Sequence, residues 1–432
     1  MKITVGVKTY TDIKAPNFAP QTDVTGSEVT LNDLEVDINT TDTIGIGQYL
    51  FLYDDQDNLW AKYWITYAEH IDKQTLRIKA DSQLKLLERD ILDPVMFSAE
   101  PIADVLTEIF ASLGSSAYTI DSSFTNETIT GFCPEQSAKT RLQWVCLVLG
   151  AYIQSFFSET INILPIDEET ETLIPIEKTY WKPSVTYRDY VTAVNVKAYS
   201  YTQGTPATTD AWVTDNTNTY IQEEQNFKLS NPDAPVSVLT NEITVEGITI
   251  VNSTNVSAIA SHLAKYYFKR QEVDLDVINN AEYIPGQRVV VYTDEDTLAV
   301  GFIESCAFSY GIQARSTIHM TPVEVRESEK LTVIYSYDGM QIGKIEYTLP
   351  VGYAFSIENP YLDMQLSRHR FIFRPTTAAA TGTMVSGGVT VTVNYEIALD
   401  YIPGEGGTKL LHIVSVDDIA QDETDNTLVE IT

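Results

Sequence analysis

Gly47-Gln48-Tyr49-Leu50-Phe51-Leu52-Tyr53-Asp54-Asp55-Gln56-Asp57-Asn58-Leu59 aligns without a gap on Gly286-Gln287-Arg288-Val289-Val290-Val291-Tyr292-Thr293-Asp294-Glu295-Asp296-Thr297-Leu298. Glycine, glutamine, tyrosine, two aspartates and leucine coincide, and the positions between them keep their apolar or polar character. Each copy runs on into a second strand, residues 60–65 and 299–303, so each reads as a hairpin turning through an acidic loop. Each hairpin leads to a further strand, Thr75-Leu76-Arg77-Ile78-Lys79-Ala80 in one case and Ser316-Thr317-Ile318-His319-Met320 in the other. The repeat predicts two similar small β-barrels separated by insertions.

Outward from the hairpins the pattern stays mainly β. Thr, Val, Tyr and Ile recur in short alternating runs bounded by Asp, Asn and Gly clusters. Three segments predict helix instead. Residues 98–114 carry Ile102, Val105, Leu106, Ile109, Phe110 and Leu113 at helical spacing, with Ser98 as a cap, Pro101 near the start and Gly114 to close. Residues 137–154 are apolar on nearly every face, so that helix must be buried. Residues 255–271 hold a stripe of Val256, Ile259, Leu263, Tyr266 and Tyr267 and finish on Lys269 and Arg270. Two proline-bearing arms, 163–166 and 173–176, flank the acidic run 167–171 and predict an edge hairpin. The tail from about Glu327 is strand-rich, with turn signals at Asp338-Gly339, Gly387-Gly388 and residues 403–407, and an acidic stretch at 421–426. The expected class is therefore mainly β (α+β). Its expected parts are a first barrel at 1–90, a helical insertion at 91–185, a second barrel at 186–326 with its helix near 255–271, and a sandwich-like domain at 327–432.

The chain has 432 residues, several domains' worth, and 44% hydrophobic with 20% charged residues is ordinary globular composition. Charge is the unusual property: 28 Lys and Arg against 60 Asp and Glu give −32. So negative a surface repels phosphate backbones and anionic lipid heads, which disfavours tight nucleic-acid binding and electrostatic membrane docking. Cys133, Cys146 and Cys306 show no C-x-x-C spacing, which fits a reducing cytoplasm. The first eight residues alternate like a strand, not a signal peptide, and the longest apolar run, 142–153, is too short to span a bilayer.

The search for chemistry returns little. His70, His262, His319, His369 and His412 form no H-E-x-x-H or H-x-H, and the cysteines form no zinc knuckle. The acidic turns fail as calcium loops: neither has glycine at the sixth place, and Thr66 and Ser305 stand at the twelfth. Gly45-Ile46-Gly47 precedes a strand rather than linking strand to helix, and no phosphate loop or nucleophile elbow occurs. No catalytic residue, metal ligand or cofactor is expected. The candidate functional residues are the loop acids Asp54, Asp55, Asp57, Asp294, Glu295 and Asp296, read as interface loops. Tyr outnumbers Phe by 25 to 15, which suits half-wet contact surfaces and exposed strand faces equally.

Residues 47–54, 60–65, 75–87 and the helix 98–114 together resemble the opening of baseplate hub proteins from contractile phage tails and phage-tail-like particles. The helix ending at 262–270, strand 273–277, hairpin 285–291 and strand 301–305 resemble the second hub barrel. The likeness spans about Gly45 to Met320 and extends to the N-terminal part of type VI secretion spike proteins. It implies a non-enzymatic homotrimer whose two barrels per chain present six similar units to a hexameric tail tube, with a trimeric spike on the far side. Implied partners are the chain itself, the tail tube protein and the spike protein, with tape-measure and baseplate wedge proteins beyond. DNA would pass without being tightly bound, no membrane anchoring is implied, and the place is a virion baseplate or tail-like particle assembled in the bacterial cytoplasm. The last hundred residues depart from that pattern. Two other readings stay open: a carbohydrate-binding or wall-degrading tail protein, and a secreted β-sandwich adhesin, which needs a secretion route the N-terminus does not offer.

Overall fold

The computed structural model describes residues 1–432 apart from 279–280, 295–296, 310–314, 367–368, 402–409, 414–418, 422–427 and 431–432. The chain forms two compact units, one of Met1–Thr293 with Ala299–Glu324 and one of Asp294–Leu298 with Val325–Thr432. Strands dominate and helices are few, as the alternating pattern requires.

The first unit opens with β1 (Lys2–Val5), β2 (Lys8–Tyr10), β3 (Ile13–Asn17), β4 (Leu34–Asn39), β5 (Tyr49–Tyr53), β6 (Leu59–His70) and β7 (Thr75–Ser82). Among the described residues these seven make one sheet in the order β2-β1-β5-β6-β7-β4-β3. The period of two decides which face is buried: Leu34, Val36 and Ile38 of β4 point inward while Glu35 and Asn39 are exposed. A short helix, α1 (Gln83–Leu86), follows under the cap of Ser82.

The first insertion contains β8 (Ile91–Leu92), β9 (Val95–Pro101), α2 (Ile102–Ile109), β10 (Tyr118–Ile120), β11 (Thr128–Cys133), β12 (Gln136–Ser137), α3 (Ala138–Leu149), β13 (Ala151–Gln154) and β14 (Ile161–Pro165). Val105, Leu106 and Ile109 of α2 and Leu142, Val145 and Cys146 of α3 share one core. The expected helix start at Ser98 is wrong. Met96 and Phe97 are held in the ladder to β11, opposite Phe132 and Gly131, and the helix begins only after Pro101. Gly114 does close that segment, with φ 88 and its N–H on Phe110 O at 2.9 Å. Helix α3 stops short of Gln154, because Gly150 adopts φ 64 and turns the chain into β13. The expected edge hairpin does not form either. β14 is the central strand of the order β10-β14-β13, while residues 172–173 join another sheet. Ile161 and Ile163 are wholly buried in that central position, and Pro165 ends the strand, where its missing donor interrupts nothing further.

β15 (Thr172–Leu173) and β16 (Ser184–Tyr187) come next. A second insertion then holds β17 (Ala193–Gln203), β18 (Trp212–Thr214), β19 (Thr219–Ser230), β20 (Glu242–Val245) and α4 (Val256–Tyr267). Its sheet has the order β18-β19-β17-β20, and Ile259 and Leu263 of α4 pack on Val194 and Val196. The helix is shorter than expected, since Gln271 already begins β21 (Gln271–Ile278). β22 (Arg288–Asp294), β23 (Thr297–Ser309) and β24 (Arg315–Tyr337) complete the unit. With the insertions set aside, the path β15-β22-β23-β24-β21-β16 matches β1-β5-β6-β7-β4-β3 strand for strand. Both sheets curl as half-barrels. Their buried faces merge into one cluster, where Ile3, Leu52, Trp60 and Ile65 meet Val273, Val291, Ile303 and Ile318.

In the second unit, residues 328–337 of β24 pair with β25 (Met340–Pro350) across the Asp338-Gly339 turn, whose φ values are 47 and 76. β26 (Ala354–Glu358) pairs with β29 (Ala379–Thr383). β27 (Leu362–Leu366) pairs with β28 (His369–Pro375), and β28 with β30 (Val389–Tyr401). Leu331, Val333, Leu349, Phe355, Phe373 and Val393 are buried there. The turn signal at 403–407 and the acidic run from 422 lie outside the described residues.

Candidate functional site

The two aligned hairpins are built alike at the base. Gly47 and Gly286 open them with φ 82 and 93, a region that favours glycine. Gly47 N–H donates to Ile65 O and Gly286 N–H to Ile303 O, each at 2.8 Å. Ile65 N–H returns to Gln48 O and Ile303 N–H to Gln287 O, each at 2.9 Å. One residue fewer separates Ile65 from Ile303 than Gly47 from Gly286, and a register shift between Leu52 and Tyr53 accommodates the extra residue of the first copy.

The acidic tip of the first hairpin is tied down. Asp54 Oδ1 accepts from the N–H groups of Gln56 and Asn58, both at 2.8 Å, and Oδ2 from Asn58 Nδ2 at 2.8 Å. Burial alone would raise the Asp54 pKa, but these hydrogen bonds outweigh it and hold the carboxyl below its ordinary value. Asp55 accepts from the Met1 amino group and Asp57 pairs with Lys2, so both staple the turn to β1. Their carboxylates stay 87% and 73% exposed, available to a further partner. In the second hairpin Asp294 ends β22; its side chain, with Glu295 and Asp296, lies outside the described residues.

Between the half-barrels lies an aromatic cluster. Trp60 of β6 is 4.7 Å from Phe308 of β23 and 5.3 Å from Phe18, ring centre to ring centre. Phe18 and Gln21 bridge to Phe308 and Ser305, so the segment after β3 runs along the second copy. Beside it, His319 Nδ1 is 2.7 Å from Asp274 and its Nε2 is 3.6 Å from Glu304. The Tyr266 hydroxyl reaches Glu304 at 3.4 Å. Burial raises the Glu304 pKa, with His319 opposing the shift. The group joins β21, β23, β24 and α4, a role that ion-pair networks between elements fill without any chemistry.

No family model matches the sequence, and no curated protein matches it. Solved structures do match. A tail protein from Neisseria meningitidis MC58 aligns at a TM-score of 0.54 with 13% identity, over 74% of this chain and 95% of that one. A prophage tail protein from Listeria monocytogenes EGD-e aligns at 0.50 with 13% identity, over 74% and 94%. The fold is that of phage tail proteins. An Escherichia coli component of the type VI secretion system also aligns, at 0.46 with 10% identity, over 96% and 100%. At such identities the tail-protein likeness rests on the backbone path, and function must be argued from the residues.

Those residues carry little reactivity. The three thiols are free and buried, and burial pushes Cys133 up to about 11, Cys146 up to about 12, and Cys306 up as well. Among the described residues no three His, Cys, Asp or Glu side chains converge as a metal site, and no helix is long and apolar enough to cross a membrane. Sequence reading missed Arg141, which is wholly buried in α3. Its Nη1 donates to Glu108 of α2 at 2.7 Å and its Nη2 to Asp93 O at 2.6 Å. A lone arginine in an apolar helix was the available signal.

Proposed function

We propose that the chain is a non-enzymatic structural hub of a contractile tail or tail-like injection particle. In this reading it is a homotrimer that adapts a hexameric tail tube to a trimeric spike. The observation that supports it most is the duplicated strand path, with matched hydrogen bonds at Gly47 and Gly286. Three chains with two such half-barrels offer six similar units, the number a six-fold tube requires. The loop acids Asp54, Asp55, Asp57, Asp294, Glu295 and Asp296 are its proposed contact points. Its two barrels are the half-barrel of β1–β7 and that of β15, β16 and β21–β24, so the expected bounds 1–90 and 186–326 shift: β15 and β16 leave the expected insertion 91–185, residues 193–267 form a second insertion, and 327–432 is the appended domain. Tube and spike proteins are the proposed partners, with tape-measure and wedge proteins further out. Assembly would take place in the bacterial cytoplasm, ending in the particle. A charge of −32 suits a channel through which DNA passes without adhering. Light scattering on the purified chain, and its copy number in the particle, provide the test. Three times the monomer mass and three copies are expected; a monomer inside the assembled particle would refute the hub.

A further inference from the structure

We propose that the second unit carries a binding pocket for a neutral saccharide. Among the described residues, Glu358, Asn359, Tyr361, Arg374, Thr376 and Glu396 line a pocket of about 790 Å³ between β26, β28, β29 and β30. Ligand pockets run from roughly 300 to 1,000 Å³, which suits one or two sugar rings here.

The lining selects the chemistry. Tyr361, 47% exposed, supplies the lining with an aromatic ring, the side-chain type that packs on the apolar side of a pyranose. Arg374 donates to Glu396 through Nε at 3.1 Å and Nη2 at 2.5 Å, both bonds ending on Oε1. Guanidinium donors thus stand beside carboxylate acceptors. Sugar hydroxyls both donate and accept, so such a wall fits them better than it fits a ligand of one sign. Asn359 is 7% exposed and donates through Nδ2 to Thr377 O at 2.9 Å, while its Oδ1 has no hydrogen-bond partner. That oxygen is enclosed, so its fitting partner is an ordered water and not the ligand itself. Two carboxylates against one guanidinium leave the pocket formally negative, in a chain of −32, which rejects phosphorylated or acidic sugars. Arg374 in turn opposes an ammonium ligand. A neutral hexose or N-acetylhexosamine unit remains.

This inference stands apart from the hub reading: a trimer that binds no sugar and a sugar-binding monomer are both distinguishable results. The test is saturation-transfer NMR on the full chain with the methyl glycosides of glucose, galactose and N-acetylglucosamine, and with a lysine-rich peptide as a control probe. Transfer to at least one glycoside is expected. It should fall about tenfold in Tyr361→Ala and in Arg374→Ala and survive in Tyr361→Phe, which keeps the ring and reports on folding. No transfer to any glycoside, transfer unchanged in Tyr361→Ala, or binding of the peptide alone would overturn the proposal.

Discussion

Gly47 and Gly286 hold the same place in the two hairpins, yet alanine should affect them differently. A Cβ on Gly47 would lie 3.6 Å from the Trp64 ring, an ordinary contact. A Cβ on Gly286 would lie 2.4 Å from Cε2, 2.6 Å from Cζ and 2.7 Å from the hydroxyl of Tyr152. The contacted atoms are the far end of a partly buried ring, whose hydroxyl pKa burial pushes up to about 12, so the ring can yield only by giving up packing. Gly47→Ala should therefore cost about 1 kcal/mol, the strain of a side chain at positive φ. Gly286→Ala adds overpacking of about 1–3 kcal/mol, for about 2–4 kcal/mol together. Equilibrium guanidinium unfolding of the full chain, followed by tryptophan fluorescence and circular dichroism, measures both. In a Tyr152→Ala background the penalty of Gly286→Ala should shrink to that of Gly47→Ala, a coupling of about 1–3 kcal/mol. Equal penalties at the two glycines, or an undiminished penalty without the tyrosine ring, would refute the reasoning.

Glu108→Gln should destabilise the chain by about 1–3 kcal/mol, less than for a wholly buried pair because Glu108 is 41% exposed, whereas Arg141→Met should cost less; denaturation midpoints give the comparison. His262 is half-buried with its Nε2 unpartnered, and burial lowers its pKa below 6.5. The unfolded chain then takes up the proton first, so the stability this residue contributes is full above about pH 6.5 and is lost as pH falls through the folded-state pKa. Thermal midpoints should drop more between pH 7 and pH 5 in the parent than in His262→Gln, and parallel curves would contradict this. Glu304, whose pKa is raised, has the opposite sign: the stability its protonated form contributes is lost as pH rises through its folded-state pKa. A thiol reagent at mild alkaline pH should leave all three cysteines unmodified in the folded chain and label three after denaturation.

The hairpins were legible because their signal is local. Glycine, an alternating run and an acidic turn fix a hairpin within a dozen residues, and a second copy repeats each constraint. The division of labour within the acidic turn was not legible, because it depends on Met1 and Lys2 arriving from another strand. Helix α3 was readable from its apolar run, but its end was misjudged: residues 151–154 are as apolar as the helix, and only the left-handed turn at Gly150 separates them. The arms at 163–166 and 173–176 looked like partners because they are close in sequence and both carry proline. Each instead found a partner far away, β14 beside β13 and β15 beside β22. The pocket proposed for a saccharide gave no sequence signal, since its lining comes from four strands and the loops beside them, which only tertiary pairing brings together.

The copies are alike in path and unlike at one edge. β1 runs antiparallel to β5 and is itself covered by β2, whereas β15 is two residues long, runs parallel to β22 and ends its path uncovered among the described residues. An open sheet edge is where another chain adds a strand. A trimer that alternates the copies would therefore offer six similar units with two kinds of edge, three of each. A tube protein with a single contact surface cannot meet both kinds equally well if those edges take part. On the proposed hub reading, titrating isolated tube subunits onto that trimer should then resolve two classes of three sites. Six equivalent sites would mean that the contact is made by the shared features, the hairpins and their acidic turns, and not by the edges.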